Sequence, residues 1–289
     1  MGIFTIICGM DRSGTSLCAA VSQIVGIHLG DNLIGPREAN PKGYFEDRRG
    51  VSINKELLRS HNYARKLAVP LPSGWQGSIA AKLAEMRIRR VLGDLSKGQE
   101  VFGVKDPRLC LTSEIWARTA KNADHEPRYV ICVRHPLEVA ESLHKRDGTD
   151  KAAACLMWIS HTMSVLKSSK SSARIWITYQ DLMSQPLEVA ATIKDFTGQG
   201  RDLSDKEIEK IHDFVDESLW HNKAEKTPQD YSAKVALEFY ELVKENRQEE
   251  LDVFMRIGPG MLIDKLNNQA ALSLSRWIPS PYNPATGEG

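Results

Sequence analysis

The apolar residues of this chain fall into four short runs that are separated by longer segments of helical period. The runs are Ile3–Cys8, Val101–Val104, Tyr129–Val133 and Arg174–Thr178. Their apolar residues are consecutive rather than alternating, which is typical of strands that are buried on both faces of a parallel sheet. Strands of this kind in alternation with helices predict a doubly wound α/β fold, with about four to five parallel strands flanked by helices.

The segments after the last strand show how the rest of the chain is divided. Ser204–Glu207 has the sequence of a capping box, and the apolar residues after it have helical spacing. Glu238–Asp252 is strongly charged, which predicts a solvated helix, and the Gly-Pro-Gly sequence at Gly258–Gly260 is expected to end any helix. We therefore predict a single domain over residues 1–257 and a C-terminal extension over residues 258–289, part of it a loose tail.

A glycine-bounded loop follows the first strand and leads into the first helical segment. This loop, Gly9–Ser16, reads GMDRSGTS, and it directs several backbone N–H groups and the positive end of a helix dipole at one point. The spacing resembles the nucleotide triphosphatase loop, but Thr15 stands where that loop has its lysine, which weakens the case for ATP or GTP. A glycine turn without a ligand is the alternative. The residues predicted to bind a phosphate here are Arg12, Ser13, Gly14, Thr15 and Ser16.

A second anion site is predicted where the third strand meets the helix that follows it. Arg134 ends the strand, and Ser142 and Arg146 lie four residues apart on one face of the helix. Two arginines and a hydroxyl group can bind a phosphate with bidentate geometry. The alternative is that the arginines form surface ion pairs, for instance Arg146 with Glu141 or Asp147.

Composition narrows the class of protein. The 289 residues include 38 Lys+Arg and 37 Asp+Glu, so the net charge is +1, which gives no sign of a general nucleic-acid or membrane-surface binder. No apolar run approaches the roughly 20 residues that cross a bilayer, and the first residues lack the pattern of a secretory signal. The five cysteines and eight histidines have no metal-ligand spacing, so no metal site is predicted. A cytoplasmic protein is expected.

Two phosphate sites at neighbouring strand ends predict a ligand with separated anionic groups, and at this point the chain resembles a known family. The loop and the Arg134–Ser142 segment are similar to the 5′-phosphosulfate loop and the 3′-phosphate segment of the sulfotransferases that use 3′-phosphoadenosine 5′-phosphosulfate (PAPS). Arg12 and Arg146 resemble residues of the tyrosylprotein branch, and the loop arginine is also similar to the bacterial carbohydrate branch. Val104–Arg108 and Ile177–Leu182 resemble two further segments of the family, whereas the last third of the chain matches weakly.

The resemblance implies a P-loop-like fold and an activity. The activity is in-line transfer of a sulfuryl group from PAPS, with adenosine 3′,5′-bisphosphate (PAP) as product, to an acceptor hydroxyl on a carbohydrate or glycolipid. Arg12 would stabilise the leaving group, Lys105 would contact the sulfuryl group, and Glu46 would be the general base, with Glu38 as its competitor. The cofactor-binding residues that it implies are Arg12, Ser13, Gly14, Thr15, Ser16, Arg134, Ser142, Arg146 and Tyr179.

Lys105 and Glu46 also have interpretations that involve no ligand. For Lys105 the alternative is an ion pair with Asp106, and for Glu46 it is an ion pair with Arg48 or Arg49.

The sequence allows more than one role for Tyr179 at a strand end and for Asp11 in the loop. Tyr179 is placed either beside the adenine or in the core, where its hydroxyl group would be satisfied. Asp11 would repel a phosphosulfate unless its carboxylate points away from it.

Two other functions fit parts of the sequence. A P-loop kinase or nucleotide triphosphatase would use the loop together with a magnesium-binding Asp106 after the second strand. A non-catalytic module would bind a nucleotide and turn over no acceptor. A chelator distinguishes the first of these from sulfuryl transfer, which needs no metal. The sequence does not specify the oligomeric state.

Overall fold

The computed structural model describes residues 2–37, 40, 42–62, 71–215 and 230–265 of the chain. The chain divides into two compact units, Met1–Tyr240 and Glu241–Gly289. The first unit contains the sheet and all of the site residues discussed below. The predicted division at residue 257 stays a prediction.

The centre of the first unit is a four-stranded parallel sheet in the order β2-β1-β3-β4. Its registers run from Ile3 opposite Val101 on one side of β1, and from Ile3 opposite Glu126 on the other. The predicted parallel sheet is therefore confirmed with four strands. Their bounds are β1 Ile3–Cys8, β2 Val101–Lys105, β3 Glu126–Val133 and β4 Ala173–Thr178.

Helices connect the strands and follow the last of them. The helices are α1 Thr15–Ile24, α2 Arg48–Ser60, α3 Ile79–Leu95, α4 Leu109–Lys121, α5 Pro136–Asp147, α6 Lys151–Ser168, α7 Tyr179–Ser184, α8 Pro186–Phe196, α9 Asp205–Phe214, α10 Tyr231–Lys244 and α11 Gln248–Lys265. The predicted capping box is present at α9, where the side chains of Ser204 and Glu207 bond each other's backbone N–H. Among the helices of the described residues, none has the length and hydropathy that a membrane crossing requires.

Apolar side chains cover both faces of the sheet, as a doubly wound fold requires. Phe4 and Ile6 of β1 pack into a layer with Trp116, whereas Ile7 packs into the opposite layer with Val21. The alternation arises because successive side chains of a strand point to opposite faces. The five cysteines are buried and unbridged in these layers or beside them, so they behave as small apolar side chains.

Two expectations about the C-terminal segments are wrong. The charged segment is not one helix, because α10 ends at Lys244 and Asn246 has a left-handed backbone (φ 50°) before α11 begins. The Gly258–Gly260 sequence does not end α11, which continues to Lys265. One proline removes a single N–H donor, and glycine can adopt helical angles, so together they weaken a helix without forbidding it.

Candidate active site

A cleft of about 650 Å³ lies at the carboxyl ends of β1, β2 and β3. Ligands bind at this edge in open α/β sheets, because loops and helix N-termini converge there. The charge of the cleft is far from the near-neutral charge of the chain: of the described residues that line it, eight are basic and two, Asp11 and Glu46, are acidic. A cleft of one charge sign concentrates the field on an anion. The basic residues are Arg12, Arg37, Lys42, Lys55, Lys105, Arg108, Arg134 and Arg146.

The glycine-bounded loop delivers the N-terminus of α1 to the cleft without a capping side chain. Gly14 precedes the helix in a left-handed conformation (φ 85°), and no side chain accepts a hydrogen bond at this end of α1. The first N–H groups of the helix therefore keep no acceptor from within the helix. Gly14 cannot be replaced without a shift of its surroundings, because a Cβ atom there would lie 2.3 Å from Cδ2 of Tyr179.

The hydroxyl group of Ser16 lines the cleft and has a proton to donate. Its Oγ accepts hydrogen bonds from Nδ2 of Asn40 and from Nζ of Lys105, both at 3.1 Å. Since a hydroxyl group has two acceptor positions and one proton, the proton remains for a ligand. Thr15 also lines the cleft. Ser13 does not, because its side chain is buried and its Oγ has no partner in the described part of the chain.

The two predicted phosphate sites are joined by direct contacts. Nε of Arg12 donates to Oγ of Ser142 at 2.9 Å, across 130 positions of sequence. Nη1 of Arg134 donates to the backbone oxygen of Arg12 at 3.4 Å. Ser142 is buried and does not line the cleft, so it holds Arg12 in place. The sites are thus two parts of one cationic surface.

Arg134 is fixed on several sides. Its Nε donates to Oε2 of Glu138 at 2.7 Å, and its guanidinium lies 4.2 Å from the centre of the Tyr179 ring. Its backbone oxygen accepts from Nε1 of Trp158 at 3.1 Å. Burial raises the pKa of Tyr179 and the charge of Arg134 opposes this, so the phenol stays neutral. Tyr179 is both buried and on the cleft wall.

The carboxylate of Asp11, which would repel a phosphosulfate, lies beside a cation, Arg146. Its Nη1 lies 3.6 Å from Oδ2 of Asp11, and its Nη2 lies 2.8 Å from Oδ2 of Asp147. The predicted pair with Asp147 is therefore present, yet Arg146 still lines the cleft. Burial, and next the charge of Arg146, lower the pKa of Arg12. This crowding of cations is relieved when an anion lies among them.

Lys105 and Glu46 form a buried ion pair at the end of β2. Nζ of Lys105 lies 2.9 Å from Oε1 of Glu46, and both residues are less than a tenth exposed. The same nitrogen also donates to the backbone oxygen of Tyr44 at 2.8 Å. Within the described residues, neither alternative pair is present, and Arg49 pairs with Asp47 and Asp94 instead.

The environment of Glu46 is that of a base candidate. Burial raises the pKa of Glu46, whereas Lys105 and Arg108 act in the opposite direction. The neighbouring Asp47 is fully used as the cap of α2, since it accepts from the N–H groups of Arg49 and Gly50. Glu38, the competing candidate, lies outside the described residues.

Asp106 has a structural role in the fold. Oδ1 accepts from the backbone N–H and from Nη1 of Arg108, and Oδ2 accepts from Nδ2 of Asn54, at 2.8–2.9 Å. Asn54 is held in turn by Trp116 and Thr112. Asp106 is buried and does not line the cleft, so its contacts give no support to a magnesium-binding role. No cluster of His, Cys, Asp or Glu in the described ranges could hold a metal ion.

Sequence reasoning missed four basic residues and one amide of the cleft. The residues are Arg37, Asn40, Lys42, Lys55 and Arg108. Four of them lie on a connection and on α2, where basic residues have no distinctive spacing. Arg108 is the last residue of the Val104–Arg108 segment that carries part of the family resemblance, so it was the one that the sequence could have indicated. Aromatic side chains can line a sugar-binding surface, but Trp75 and Trp158 are in the core, and Tyr63 and Trp220 lie outside the described residues.

Comparison with known proteins bears on the fold. No family model and no curated protein matches the chain. Among solved structures, the chain is similar to the sulfotransferase domain of the Synechococcus PCC 7002 olefin synthase, with 17% identity and a TM-score of 0.51 over 83% of this chain and 94% of that one. A sulfotransferase domain of the curacin biosynthetic pathway has 16% identity and a TM-score of 0.48 over 83% and 97%. A Mycobacterium avium sulfotransferase has 13% identity and a TM-score of 0.43 over 88% and 76%. The chain therefore has the α/β fold of the olefin synthase sulfotransferase domain.

Proposed function

We propose that this chain is a sulfotransferase that moves a sulfuryl group from PAPS to an acceptor hydroxyl. The observation that carries the proposal is the contact between Arg12 and Ser142, which makes one cationic cleft of the phosphate loop and the second anion site. A compound with two separated anionic groups matches such a cleft. As acceptor we propose a hydroxyl of a carbohydrate or glycolipid, the class that the sequence resemblance implies.

The cleft has the volume and the donor groups that binding of this cofactor requires. A volume of about 650 Å³ is within the range of small-molecule sites. The uncapped first turn of α1, the hydroxyl of Ser16 and the guanidinium of Arg12 are donors for a phosphosulfate. Arg134 and Arg146 supply charge for the second phosphate, and Tyr179 lines the wall beside them. When bound, the cofactor supplies the sulfuryl group and an anionic leaving group.

Glu46 is the residue that we propose takes the proton of the acceptor hydroxyl. Its Oε1 accepts from Lys105, whereas the polar contact of Oε2 within the described residues is one of 3.8 Å with Arg108, which is beyond hydrogen-bond distance. The proton therefore goes to Oε2. A carboxylate whose pKa is raised by burial is a stronger base than an exposed one.

Lys105 is proposed to stabilise negative charge as it develops. All three protons of its ammonium are donated, to Ser16, Tyr44 and Glu46. A new contact therefore requires one of these bonds to be exchanged. When Glu46 takes a proton it loses its charge, so its bond to Lys105 weakens and the ammonium can turn towards the leaving group. The base and the cation are coupled in this way.

The other two functions have less support in the described residues. A kinase or nucleotide triphosphatase would need Asp106 for magnesium, and the oxygens of that residue are bonded to Arg108 and Asn54. In a non-catalytic module, the buried carboxylate and ammonium beside the anion site would have no function. Burial of such a pair costs desolvation energy, which argues against this alternative.

Thermal unfolding with two nucleotides tests the proposal. PAP is expected to raise the melting temperature of the protein by several degrees, since a ligand at a hundred times its Kd stabilises by about 2.7 kcal/mol. ATP with magnesium should stabilise the protein less. Transfer of labelled sulfuryl from PAPS to a panel of oligosaccharides is then measured with and without EDTA. A stronger effect of ATP with magnesium, or a transfer that EDTA stops, would contradict the proposal.

A further inference from the structure

The cleft carries positive charge beyond the groups that would hold the cofactor. Arg37, Lys42, Lys55 and Arg108 all line it. The first three belong to the connection into α2 or to α2 itself, and Arg108 contacts Glu46 at 3.8 Å. These cations therefore share the cleft with the proposed base.

Two of the four are already used by the fold. Nζ of Lys42 donates to the backbone oxygen of Phe214 at 2.6 Å and lies 5.2 Å from the centre of its ring. Nη1 of Arg108 donates to Oδ1 of Asp106 at 2.8 Å. These contacts tie the connection to the end of α9 and fix the start of α4.

Arg37 and Lys55 differ, because their charges serve no contact within the described structure. Both residues are exposed, and neither forms an ion pair or a side-chain hydrogen bond in that part of the chain. Lys55 follows Val51 by one helical turn and both line the cleft, so this face of α2 is directed at it. Two unpaired cations at the rim of a concave basic site attract and orient an anionic ligand.

We propose that the acceptor is itself anionic, and that Arg37 and Lys55 form a subsite for its carboxylate, sulfate or phosphate groups. This inference rests on the proposed function, since it names the substrate class of the same site. Arg37 and Lys55 act in binding and orientation, whereas proton transfer remains with Glu46. A neutral sugar of the same length as an anionic one carries no anionic group that could pair with Arg37 and Lys55.

The test compares two α-1,4-linked hexasaccharides that differ in charge. Maltohexaose is neutral and hexagalacturonate carries a carboxylate on every ring. Affinities are measured by calorimetry with the wild-type protein saturated with PAP, so that the cofactor half of the cleft is filled. We expect hexagalacturonate to bind roughly tenfold more tightly, and this preference to shrink at high salt, because partly exposed charge pairs are weak singly and are screened.

The double variant Arg37→Gln/Lys55→Gln is expected to lose this preference. Its control is Lys82→Gln/Arg89→Gln on α3, which removes two exposed cations that are also unpaired in the described structure but do not line the cleft. The control should keep the preference. Melting temperatures of both variants verify that they fold.

Three results would overturn the inference: equal affinities for the two sugars in the wild-type protein, a preference that survives in the Arg37/Lys55 variant, or a preference lost equally in the α3 control. Failure of the proposed function gives a different result, because PAP would then not bind before any sugar is added. The sugars are in that case compared on the protein alone, and the same three outcomes decide whether the charged subsite exists.

Discussion

Two buried cations lie on either side of β1, and they differ in what holds them. Lys105 ends β2 and pairs with Glu46 at 2.9 Å, while Arg134 follows β3 and pairs with Glu138 at 2.7 Å. Glu46 comes from a connection 59 positions away and lines the cleft. Glu138 lies one turn along the adjoining helix and does not line it.

The difference separates a pair suited to chemistry from a pair suited to binding. Arg134 is held by Glu138, by the Tyr179 ring and by the backbone of Arg12, so it presents a fixed charge. Glu46 lines the cleft, and a proton on its carboxylate removes the charge that attracts Lys105. A buried ion pair is costly to disrupt. The Arg134–Glu138 pair therefore preserves the geometry of the site, whereas the Lys105–Glu46 pair can respond when a proton moves.

The substitution Glu46→Gln is expected to have the largest effect. Turnover should fall roughly a thousandfold, because a general base is removed. PAP affinity should be unchanged, since the amide oxygen still accepts from Lys105. Steady-state kinetics and calorimetry measure the two quantities. Glu138→Gln is the matched control and should keep turnover near wild type; an equal loss in both variants would remove the distinction between the pairs.

The substitution Lys105→Met should reduce turnover by about a hundredfold, the scale of one lost charge-stabilising donor. It also leaves Glu46 buried without its cation, a change that destabilises proteins by about 3–5 kcal/mol. The double variant Lys105→Met/Glu46→Gln should regain most of this stability in denaturant unfolding but no turnover. If turnover returns together with stability, neither Lys105 nor Glu46 acts in the chemistry and the pair has only a structural role.

The substitution Arg134→Ala should weaken PAP binding by roughly 10- to 100-fold, since a charge-assisted contact contributes about 1.5–3 kcal/mol. Turnover at saturating cofactor should change less. Arg128→Ala on β3, the strand that Arg134 follows, is the control, because Arg128 pairs with Glu126 and does not line the cleft. Unchanged affinity by calorimetry would exclude Arg134 from the site.

The pH profile of kcat should have an acid limb that belongs to Glu46. The base acts when deprotonated, so the rate falls about tenfold per pH unit below its pKa and rises as pH increases through it. Because burial raises the pKa of Glu46, the limb should lie above the ordinary glutamate value of about 4.3. A limb that persists in Glu46→Gln would assign the titration to another group.

The substitution Glu138→Gln should have the smallest effect, and its sign is informative. It removes a negative charge close to Arg134 while an oxygen acceptor for Nε remains. PAP should therefore bind about two- to fivefold more tightly by the Coulomb relation. Weaker binding in calorimetry would show that the charge of Glu138 is needed to orient Arg134.

The sequence predicted the structure correctly where the signals are local. Ile3–Cys8 was predicted with its exact bounds, and the capping box at Ser204 was confirmed. Burial of a strand on both faces and capping of a helix depend on neighbouring residues, and these leave a readable pattern. The helix across Gly258–Gly260 was missed because breaking propensities are small energies that other contacts can outweigh.

What the chain by itself determined was the parallel sheet, the glycine-bounded loop and the residue types at the strand ends. Only the tertiary structure decided that Ser142 holds Arg12, that Glu46 pairs with Lys105, and that Asp106 is bonded to Asn54. These partners lie between 52 and 130 positions apart. The sheet order β2-β1-β3 brings two of the three strand ends to either side of the loop, and no local pattern of apolar and polar residues encodes which ends become neighbours.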